Sequence, residues 1–161
     1  MLVIRKAGKK DIQSINQIYN EAIKNTNATF DIKEKTFEWQ KKWFQNHGSF
    51  YPILVAEEEK IIGWAALSKF DEKEAYFRSS EISVYVKEEY QKQGIGKKLI
   101  ESILREGKKT GINTVVARIT MGNDHSIRLH ESFGFKKVGI LKDIGYKFNK
   151  KLDVIILQKL L

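Results

Sequence analysis

Two kinds of hydrophobic spacing alternate along the chain, and this alternation limits the fold more than any other property of the sequence. Short runs rich in β-branched residues predict strands over residues 2–5, 51–56, 61–67, 81–86, 114–119, 135–141 and 153–157. Apolar residues three and four positions apart predict helices over residues 12–25, 35–46, 94–107 and 123–132. The polar turn 57–60 predicts an antiparallel hairpin, whereas the helix between strands 81–86 and 114–119 predicts a parallel pair. The sequence therefore indicates an α+β (mixed α/β) fold, with a mixed, mostly antiparallel central sheet and helices on both faces.

The length and composition narrow the class of protein further. The chain has 161 residues, 42% of them hydrophobic, which is enough for one buried core. No repeat or linker interrupts it, so we expect a single domain over residues 1–161. It has no cysteine, which excludes a disulfide scaffold, a thiolate nucleophile and a cysteine-ligated metal. Its histidines, His47, His125 and His130, include no i, i+4 pair, so we expect no metal site.

The charge of the chain is strongly positive, because 29 Lys and Arg residues against 20 Asp and Glu residues give +9. Such an excess indicates an anionic partner, which could be nucleic acid, a membrane surface or a phosphate-rich small molecule. The lysines are dispersed, with no basic tract interleaved with aromatic residues, so we expect no nucleic-acid partner. No window approaches the ~20 apolar residues of a membrane span, and the N-terminus lacks the order of a signal peptide. We therefore expect no membrane partner and a cytoplasmic location.

A glycine-containing turn, Gln91-Lys-Gln-Gly-Ile-Gly-Lys97, lies between a predicted strand and an amphipathic helix. The free N–H groups at the start of a helix favour a bound pyrophosphate, and Gly94 and Gly96 would let the backbone approach it closely. An ordinary surface turn can have the same Gly-x-Gly pattern. Leu99 breaks the Gly-x-Gly-x-x-Gly fingerprint of dinucleotide-binding folds, and the chain has no P-loop. The turn is thus a candidate phosphate site of another kind.

A second motif follows the next predicted strand, with the spacing Asn123-x-x-Ser126-x-x-x-His130-x-x-x-Gly134-Phe135. Asp124 is the expected N-cap of the helix in it. Together with Gln-x-x-Gly-x-Gly, this motif resembles the GCN5-related N-acetyltransferase (GNAT) superfamily. Further motifs resemble its phosphinothricin N-acetyltransferase family over residues 3–158; they are Ile4-Arg5-Lys-Ala7, Ile18-Tyr19-Asn20, Thr29-Phe30, Glu81-x-Ser-Val-Tyr-Val86, Gly145-x-Lys-Phe148 and Leu152-Asp153-Val154.

The resemblance implies acetyl-CoA as cosubstrate, with its pantetheine arm along a strand and its phosphates at the glycine turn. The implied binding residues are Val84, Tyr85, Val86, Gln91, Lys92, Gln93, Gly94, Ile95, Gly96, Lys97, Asn123 and Ser126. Val84 and Val86 would bind the arm through backbone groups. Asn123 and Ser126 could equally cap the following helix. Since the chain has no cysteine, we expect direct transfer of the acetyl group rather than a cysteinyl intermediate.

The resemblance also implies two catalytic residues, Glu81 and His130. An amine attacks a thioester only when it is neutral, so the reaction needs a base. Glu81 occupies the position of the family's proposed base. A neutral His130 could accept the amine proton, and a protonated His130 could protonate the departing thiolate; the sequence is compatible with both. Outside this resemblance, Glu81 would be an ordinary strand carboxylate and His130 a packed helical residue.

The implied acceptor is the amino group of a small amino acid or analogue, such as phosphinothricin, methionine sulfoximine or methionine sulfone. The implied substrate-binding residues are Phe30, Lys73, Tyr76, Arg78 and Tyr85. The family's Gly-Arg-Trp is replaced by Asn149-Lys150-Lys151, which changes the expected pocket wall. The acidic loop 71–74 would instead favour another amine, such as an aminoglycoside or a protein N-terminus. A non-enzymatic, basic nucleic-acid-binding protein is the distant alternative.

The family tends to form homodimers, so the resemblance implies one here. The predicted strand that begins at Asp153 offers an apolar edge for pairing with a second copy.

Overall fold

The computed structural model describes residues 1–161 and contains seven strands and four α-helices. In chain order they are β1 (Val3–Lys6), α1 (Ile12–Asn25), α2 (Phe37–His47), β2 (Ile53–Glu57), β3 (Ile61–Lys69), β4 (Ser79–Val86), α3 (Ile95–Thr110), β5 (Thr114–Thr120), α4 (Asp124–Ser132), β6 (Lys136–Lys147) and β7 (Lys150–Leu160). Every strand and helix predicted from the spacing of apolar residues is present. The fold class is confirmed as a mixed α/β domain.

The seven strands form one sheet in the order β1-β2-β3-β4-β5-β7-β6. All neighbouring strands are antiparallel except β4 and β5, which are joined by α3 and run parallel. The sheet is therefore mostly antiparallel, as predicted. Helix α3 covers one face with a large apolar cluster that includes Leu99 and Ile103, whereas α1 covers the other face with Ile15 and Ile18.

The two strands of the last hairpin, β6 and β7, are longer than the sequence predicted. Strands β6 and β7 run well beyond the predicted limits and meet in a turn at Phe148 and Asn149, whose φ angles are 53° and 58°. Two positive φ angles in succession are typical of the type I′ turn, which suits the twist of a tight hairpin. A register shift between Leu141 and Gly145 accommodates the charged residues that made the strand appear to end at 141.

The position of β7 corrects one expectation from the sequence. Strand β7 was expected to offer an apolar edge, but it lies between β5 and β6 and pairs with both. Its apolar residues Val154, Ile155 and Leu157 are buried because they complete the sheet. At this end of the sheet the edge strand is β6 instead.

The N-cap of α4 corrects a second expectation from the sequence, that Asp124 would cap this helix. The side chain of Asn123, not of Asp124, caps this helix, since its Oδ1 accepts a hydrogen bond from the Ser126 N–H at 3.4 Å. The Asn123 backbone has left the helical region, whereas Asp124 is already the first helical residue. A cap must lie at the boundary between those two conformations.

Candidate active site

The parallel strands β4 and β5 pair only at their beginnings, from Ser79 opposite Thr114 to Glu81 opposite Val116. Beyond Glu81 the two strands diverge, so the β5-facing edge of residues 82–86 has no strand beside it. Two cavities open at this divergence, with volumes of about 480 Å³ and about 630 Å³. We call them the first and the second cavity. They share the walls formed by Ala28, Val84, Tyr85, Asn123, Ser126 and His130. A ligand in one cavity can therefore meet a ligand in the other.

An ion pair lies at the start of the divergence, in the first cavity. The Glu81 carboxylate on β4 accepts a hydrogen bond from the Arg118 Nε on β5. The Glu81 side chain is 26% exposed and that of Arg118 is 56% exposed, so both can reach a ligand. This hydrogen bond raises the pKa of Arg118, although burial opposes the shift. Glu81 is thus held at the cavity wall by a permanent cation.

His130 lies where the two cavities meet and is only 6% exposed. Its Nδ1 is 2.7 Å from the Ser126 carbonyl, which can only accept a hydrogen bond, so Nδ1 carries a proton. Burial lowers the pKa of His130, while the bond to Ser126 partly opposes that shift. The ring is therefore neutral at neutral pH and has the lone pair on Nε2. Such an imidazole is a proton acceptor.

The roof of the first cavity is the loop 26–36. Phe30 in this loop lines the cavity, and its ring packs directly on Gly145 of β6, where a Cβ would lie 2.7 Å from ring carbons. Lys147 holds the same loop, because its buried Nζ donates to the Thr29 carbonyl at 2.9 Å. Burial lowers the pKa of Lys147. The Gly145-x-Lys147-Phe148 motif thus acts on the cavity by fixing its roof.

Polar and aromatic side chains form the wall beneath that roof. The Tyr19 hydroxyl donates to Asp31 and is 3.0 Å from the Thr29 hydroxyl. Tyr19 also contacts Tyr85 edge-on, with ring centroids 5.3 Å apart. Burial raises the pKa of both tyrosines, so both stay protonated throughout the physiological range. The negative charge of Asp31 is balanced by Lys35, whose Nζ lies 3.2 Å from the Asp31 carboxylate.

The second cavity lies between β4, the start of α3 and α4. Nine of the twelve predicted cosubstrate residues line it: Val84, Tyr85, Val86, Gln91, Lys92, Ile95, Gly96, Asn123 and Ser126. Gln91 shapes this wall by donating to the Val86 carbonyl at 3.1 Å. The other three, Gln93, Gly94 and Lys97, lie in the same turn without lining the cavity. Gly94 has a φ of 81°, which favours glycine at the residue before α3.

The predicted acceptor residues divide into two groups. Phe30 and Tyr85 line the first cavity, whereas Lys73, Tyr76 and Arg78 line neither cavity. Tyr76 packs against Phe70 on the surface, and the Arg78 Nε donates to the Gly111 carbonyl at 3.0 Å. The structure therefore does not bring the two cations of the 70–78 loop to the site. The acidic residues 71–74 line neither cavity either.

Several cavity residues were missed by the sequence reasoning, and Arg118 is the most conspicuous. It is the single charged residue in the apolar run Val115-Val-Ala-Arg-Ile119, and that isolation is a signal that could have identified it. Tyr19 lies in the Ile18-Tyr19-Asn20 motif but was not assigned to the site, whereas Asp31 and Thr120 carry no comparable signal, because such residues are common in loops and at strand ends. His125 and Tyr90, which line the second cavity, were also missed.

Residues 4–156 of the chain match the family model of the acetyltransferase (GNAT) domain. The chain belongs to the GNAT acetyltransferase family. The match spans nearly the whole sheet of this GNAT acetyltransferase, from β1 to β7. It includes the diverging strands, the glycine turn and α4.

Individual relatives of this GNAT acetyltransferase resemble it over most of their length. The L-methionine sulfoximine/L-methionine sulfone acetyltransferase of Pseudomonas aeruginosa is 32% identical over 96% of this chain and 92% of that protein. A phosphinothricin acetyltransferase from Sinorhizobium meliloti, solved in complex with acetyl-CoA, superposes with a TM-score of 0.94 at 31% identity, covering 99% of this chain and 88% of that one. A ribosomal-protein-alanine N-acetyltransferase from Brucella melitensis superposes with a TM-score of 0.95 at 36% identity, covering 99% of both chains.

No helix is both long and apolar enough to cross a membrane. No group of three or more His, Asp or Glu side chains is arranged to hold a metal ion.

Proposed function

We propose that the protein transfers an acetyl group from acetyl-CoA to the amino group of a small amino acid or analogue, such as methionine sulfone, methionine sulfoximine or phosphinothricin. The observation that carries this proposal is the meeting of two cavities at a neutral, oriented His130. One cavity suits an extended phosphorylated molecule, and the other has the volume of a small-molecule site. The names of the Pseudomonas and Sinorhizobium relatives support the same class of acceptor.

Acetyl-CoA fits the residues of the second cavity. The β5-facing edge of β4 at Val84 and Val86 has no strand beside it and offers backbone groups that an extended amide chain can pair with, in the manner of an added strand; the Val86 carbonyl also accepts from Gln91. The positive end of α3 and the side chain of Lys92 offer partners for the phosphates. When bound, acetyl-CoA supplies the thioester whose carbonyl carbon the amine attacks. Gln93, Gly94 and Lys97 remain proposed contacts of the same turn.

His130 and Glu81 serve as the catalytic residues in this proposal. The Nε2 lone pair of His130 accepts the proton of the acceptor ammonium, since Nδ1 is already committed to the Ser126 carbonyl. The Glu81 carboxylate attracts the ammonium group and keeps it near the meeting point of the cavities. Once the amine has attacked, the protonated His130 can give its proton to the departing thiolate, and the nitrogen of the new amide releases its remaining extra proton to solvent. One residue thus performs both roles that the sequence left open.

Incubation of the pure protein with acetyl-CoA and separate acceptors tests this function, with release of the CoA thiol as the readout. We expect turnover with methionine sulfone, methionine sulfoximine or phosphinothricin, and none with aminoglycosides. Glu81→Gln and His130→Gln should both reduce it without abolishing acetyl-CoA binding. No thiol release with any amine, in a protein that binds acetyl-CoA, would contradict the proposal.

A protein N-terminus is the second candidate acceptor, favoured by the name of the Brucella neighbour. Including an alanine-initiated peptide in the same panel distinguishes the two. A peptide is too long for a cavity of about 480 Å³ and would have to extend out of its mouth. We therefore expect the free amino acids to be the better acceptors.

We also propose a single catalytic domain over residues 1–161, a cytoplasmic location and a homodimer. The free edge of β6 supports the dimer, because Val138 and Tyr146 on it are 61% and 64% exposed. Leu141 and Ile144 lie on the same strand and line the first cavity, so a second copy paired there would also cover that cavity. Light scattering at several concentrations measures the oligomeric state directly. A mass of one chain, 18.7 kDa, at all concentrations would contradict the dimer.

A further inference from the structure

We propose that Arg118 binds the carboxylate of the acceptor, and so makes the enzyme selective for amino acids over other amines. This inference rests on the function proposed above and assigns a specificity-determining residue within it. The resemblance placed the acceptor-binding cations in the loop before β4, at Lys73 and Arg78. The structure places both outside the cavity and puts an arginine from β5 inside it.

The charges that line the first cavity leave Arg118 as its single cation. The other charged lining residues are Asp31 and Glu81, and His130 is neutral. Asp31 already accepts from Tyr19 and lies 3.2 Å from the Lys35 Nζ, so a partner outside the cavity balances it. An acceptor carboxylate therefore has one charged partner available in this cavity.

The geometry of the Arg118 side chain leaves its binding edge free. Its Nε donates to Glu81, whereas its two Nη groups donate to no other protein group. The side chain is 56% exposed although it comes from a central strand, because it extends into the cavity. A guanidinium presents its N–H groups in a fixed fork that matches a carboxylate. The bond to Glu81 orients that fork, so Glu81 acts on Arg118 as a positioning residue as well.

The two ends of an amino acid match the two ends of this arrangement. Its ammonium group is attracted to the Glu81 carboxylate and delivers a proton to the neutral His130. Its carboxylate then lies against the free edge of Arg118. Glu81 and Arg118 project from the same face of the sheet, since side chains alternate along a strand and their neighbours Ile82, Ala117 and Ile119 pack into the apolar cluster of α3 on the opposite face. A plain amine would satisfy only half of this site.

Steady-state kinetics on a matched pair of acceptors test the inference, using L-methionine sulfone and its α-carboxamide. We expect Arg118→Gln to raise KM for the carboxylate acceptor by roughly 10- to 100-fold, the usual size of a lost charge-assisted hydrogen bond. KM for the carboxamide should change by less than about 3-fold, because that acceptor has no charge to lose. Arg118→Lys should fall between the two, since it keeps the charge without the fork. Arg105→Gln, an exposed arginine on α3 that lines neither cavity, is the matched control.

Two results would overturn the inference while leaving the proposed function intact. One is an unchanged KM for L-methionine sulfone in a folded Arg118→Gln. The other is an equal loss on both acceptors carried by kcat, which would mean that Arg118 merely positions Glu81. Calorimetric binding of N-acetyl-L-methionine sulfone gives a readout without turnover. Binding to the wild type but not to Arg118→Gln would support the carboxylate contact. If no acceptor is acetylated in the same protein, that result would contradict the proposed function without contradicting the contact.

Discussion

His130 illustrates how neighbours one helical turn away decide the chemistry of a residue. The Ser126 carbonyl fixes the proton on Nδ1, and the ring contacts Phe135 edge-on at 5.2 Å between centroids. Burial lowers the pKa of His130, while the hydrogen bond to Ser126 partly opposes that shift and selects the tautomer. Together they leave the ring neutral with one available lone pair, on Nε2, as the proposed role of a base requires.

The pH profile of kcat checks that role. The pKa of His130 lies below the ordinary value of 6.5, so the ring is mostly neutral at pH 6.5 and becomes protonated only at lower pH. We expect activity to fall on the acid side through this lowered pKa. His130→Gln should reduce kcat by roughly 10²- to 10⁴-fold, the usual contribution of a general base, and should remove this limb of the profile. The same acid limb in the variant would assign it to another group.

Gly145 is the residue where a single methyl group should disturb the site. A Cβ at this position would overlap the Phe30 ring, so the roof of the first cavity has to shift. We expect Gly145→Ala to lower the free energy of unfolding by about 1–3 kcal/mol, as overpacking usually does, and to raise KM for the acceptor. Urea denaturation and kinetics measure the two effects.

Gly139→Ala on the same strand is the control for that variant. Nothing lies within 4 Å of a Cβ there, so it should change the free energy of unfolding by less than about 0.5 kcal/mol. Equal effects of the two substitutions would show that the Phe30 contact is unimportant.

At the scale of elements, the site depends on one divergence of strands and one anchored loop. The divergence of β4 and β5 leaves the edge that acetyl-CoA is proposed to use. The loop 26–36 covers the neighbouring cavity and is tied to distant elements by hydrogen bonds, including Thr120 Oγ1 to the Asn27 carbonyl at 2.6 Å. A loop so anchored presents a largely pre-formed wall to the acceptor.

Asn20 on α1 tests the anchoring of this loop. Its Nδ2 donates to the Lys35 carbonyl at 2.9 Å, and its Oδ1 accepts from the Lys35 N–H at 2.8 Å. We expect Asn20→Ala to lower the free energy of unfolding by about 1–3 kcal/mol and to raise KM for the acceptor more than KM for acetyl-CoA. Gln17→Ala, an exposed position on the same helix, should change neither. Equal increases in both KM values would argue against a specific effect on the loop.

At the scale of the whole molecule, the +9 charge is spread over the surface, and two buried histidines are among the groups that link folding to pH. His47 is 7% exposed, with its Nδ1 2.7 Å from the Trp43 carbonyl and its Nε2 2.9 Å from the Ser68 hydroxyl. Burial lowers the pKa of His47 as it does that of His130. Both are neutral in the fold, and each loses burial when the chain unfolds.

Stability should therefore fall as the pH is lowered. The unfolded histidines bind protons near pH 6.5, above the pKa values of the folded ones, so acid favours the unfolded chain. Above about pH 6.5, we expect the two neutral histidines to make their full contribution to the free energy of unfolding. As the pH falls from there toward the lowered pKa values, each histidine should reduce the free energy of unfolding by up to about 1.4 kcal/mol per pH unit. Urea denaturation between pH 5 and 8 measures the slope, which His130→Gln should reduce. A flat profile would show that neither histidine is linked to folding.

How far the sequence predicts this protein depends on the range of the interaction concerned. The strands and helices followed from local hydrophobic spacing, and the family followed from motifs that keep their residues in order along the chain. Glu81, His130 and the glycine turn became candidates because each lies in such a motif, and the structure places Glu81 and His130 at the cavities. The end of β6 was missed because charged residues 142–143 sit in a bulge, which pairing with β7 tolerates.

Only the tertiary structure decided which of those residues meet. It placed β7 inside the sheet, put Asn123 at the helix boundary, left Lys73 and Arg78 outside the cavity and brought Arg118 beside Glu81. Residues 81 and 118 are far apart in the chain and adjacent in space, because β4 and β5 pair for three residues and then diverge. The sequence by itself determined the elements and the reaction family, since both are written in local patterns. The lowered pKa of His130 and the cation proposed for the acceptor site depend on burial and on contacts between distant segments, which exist only in the folded chain.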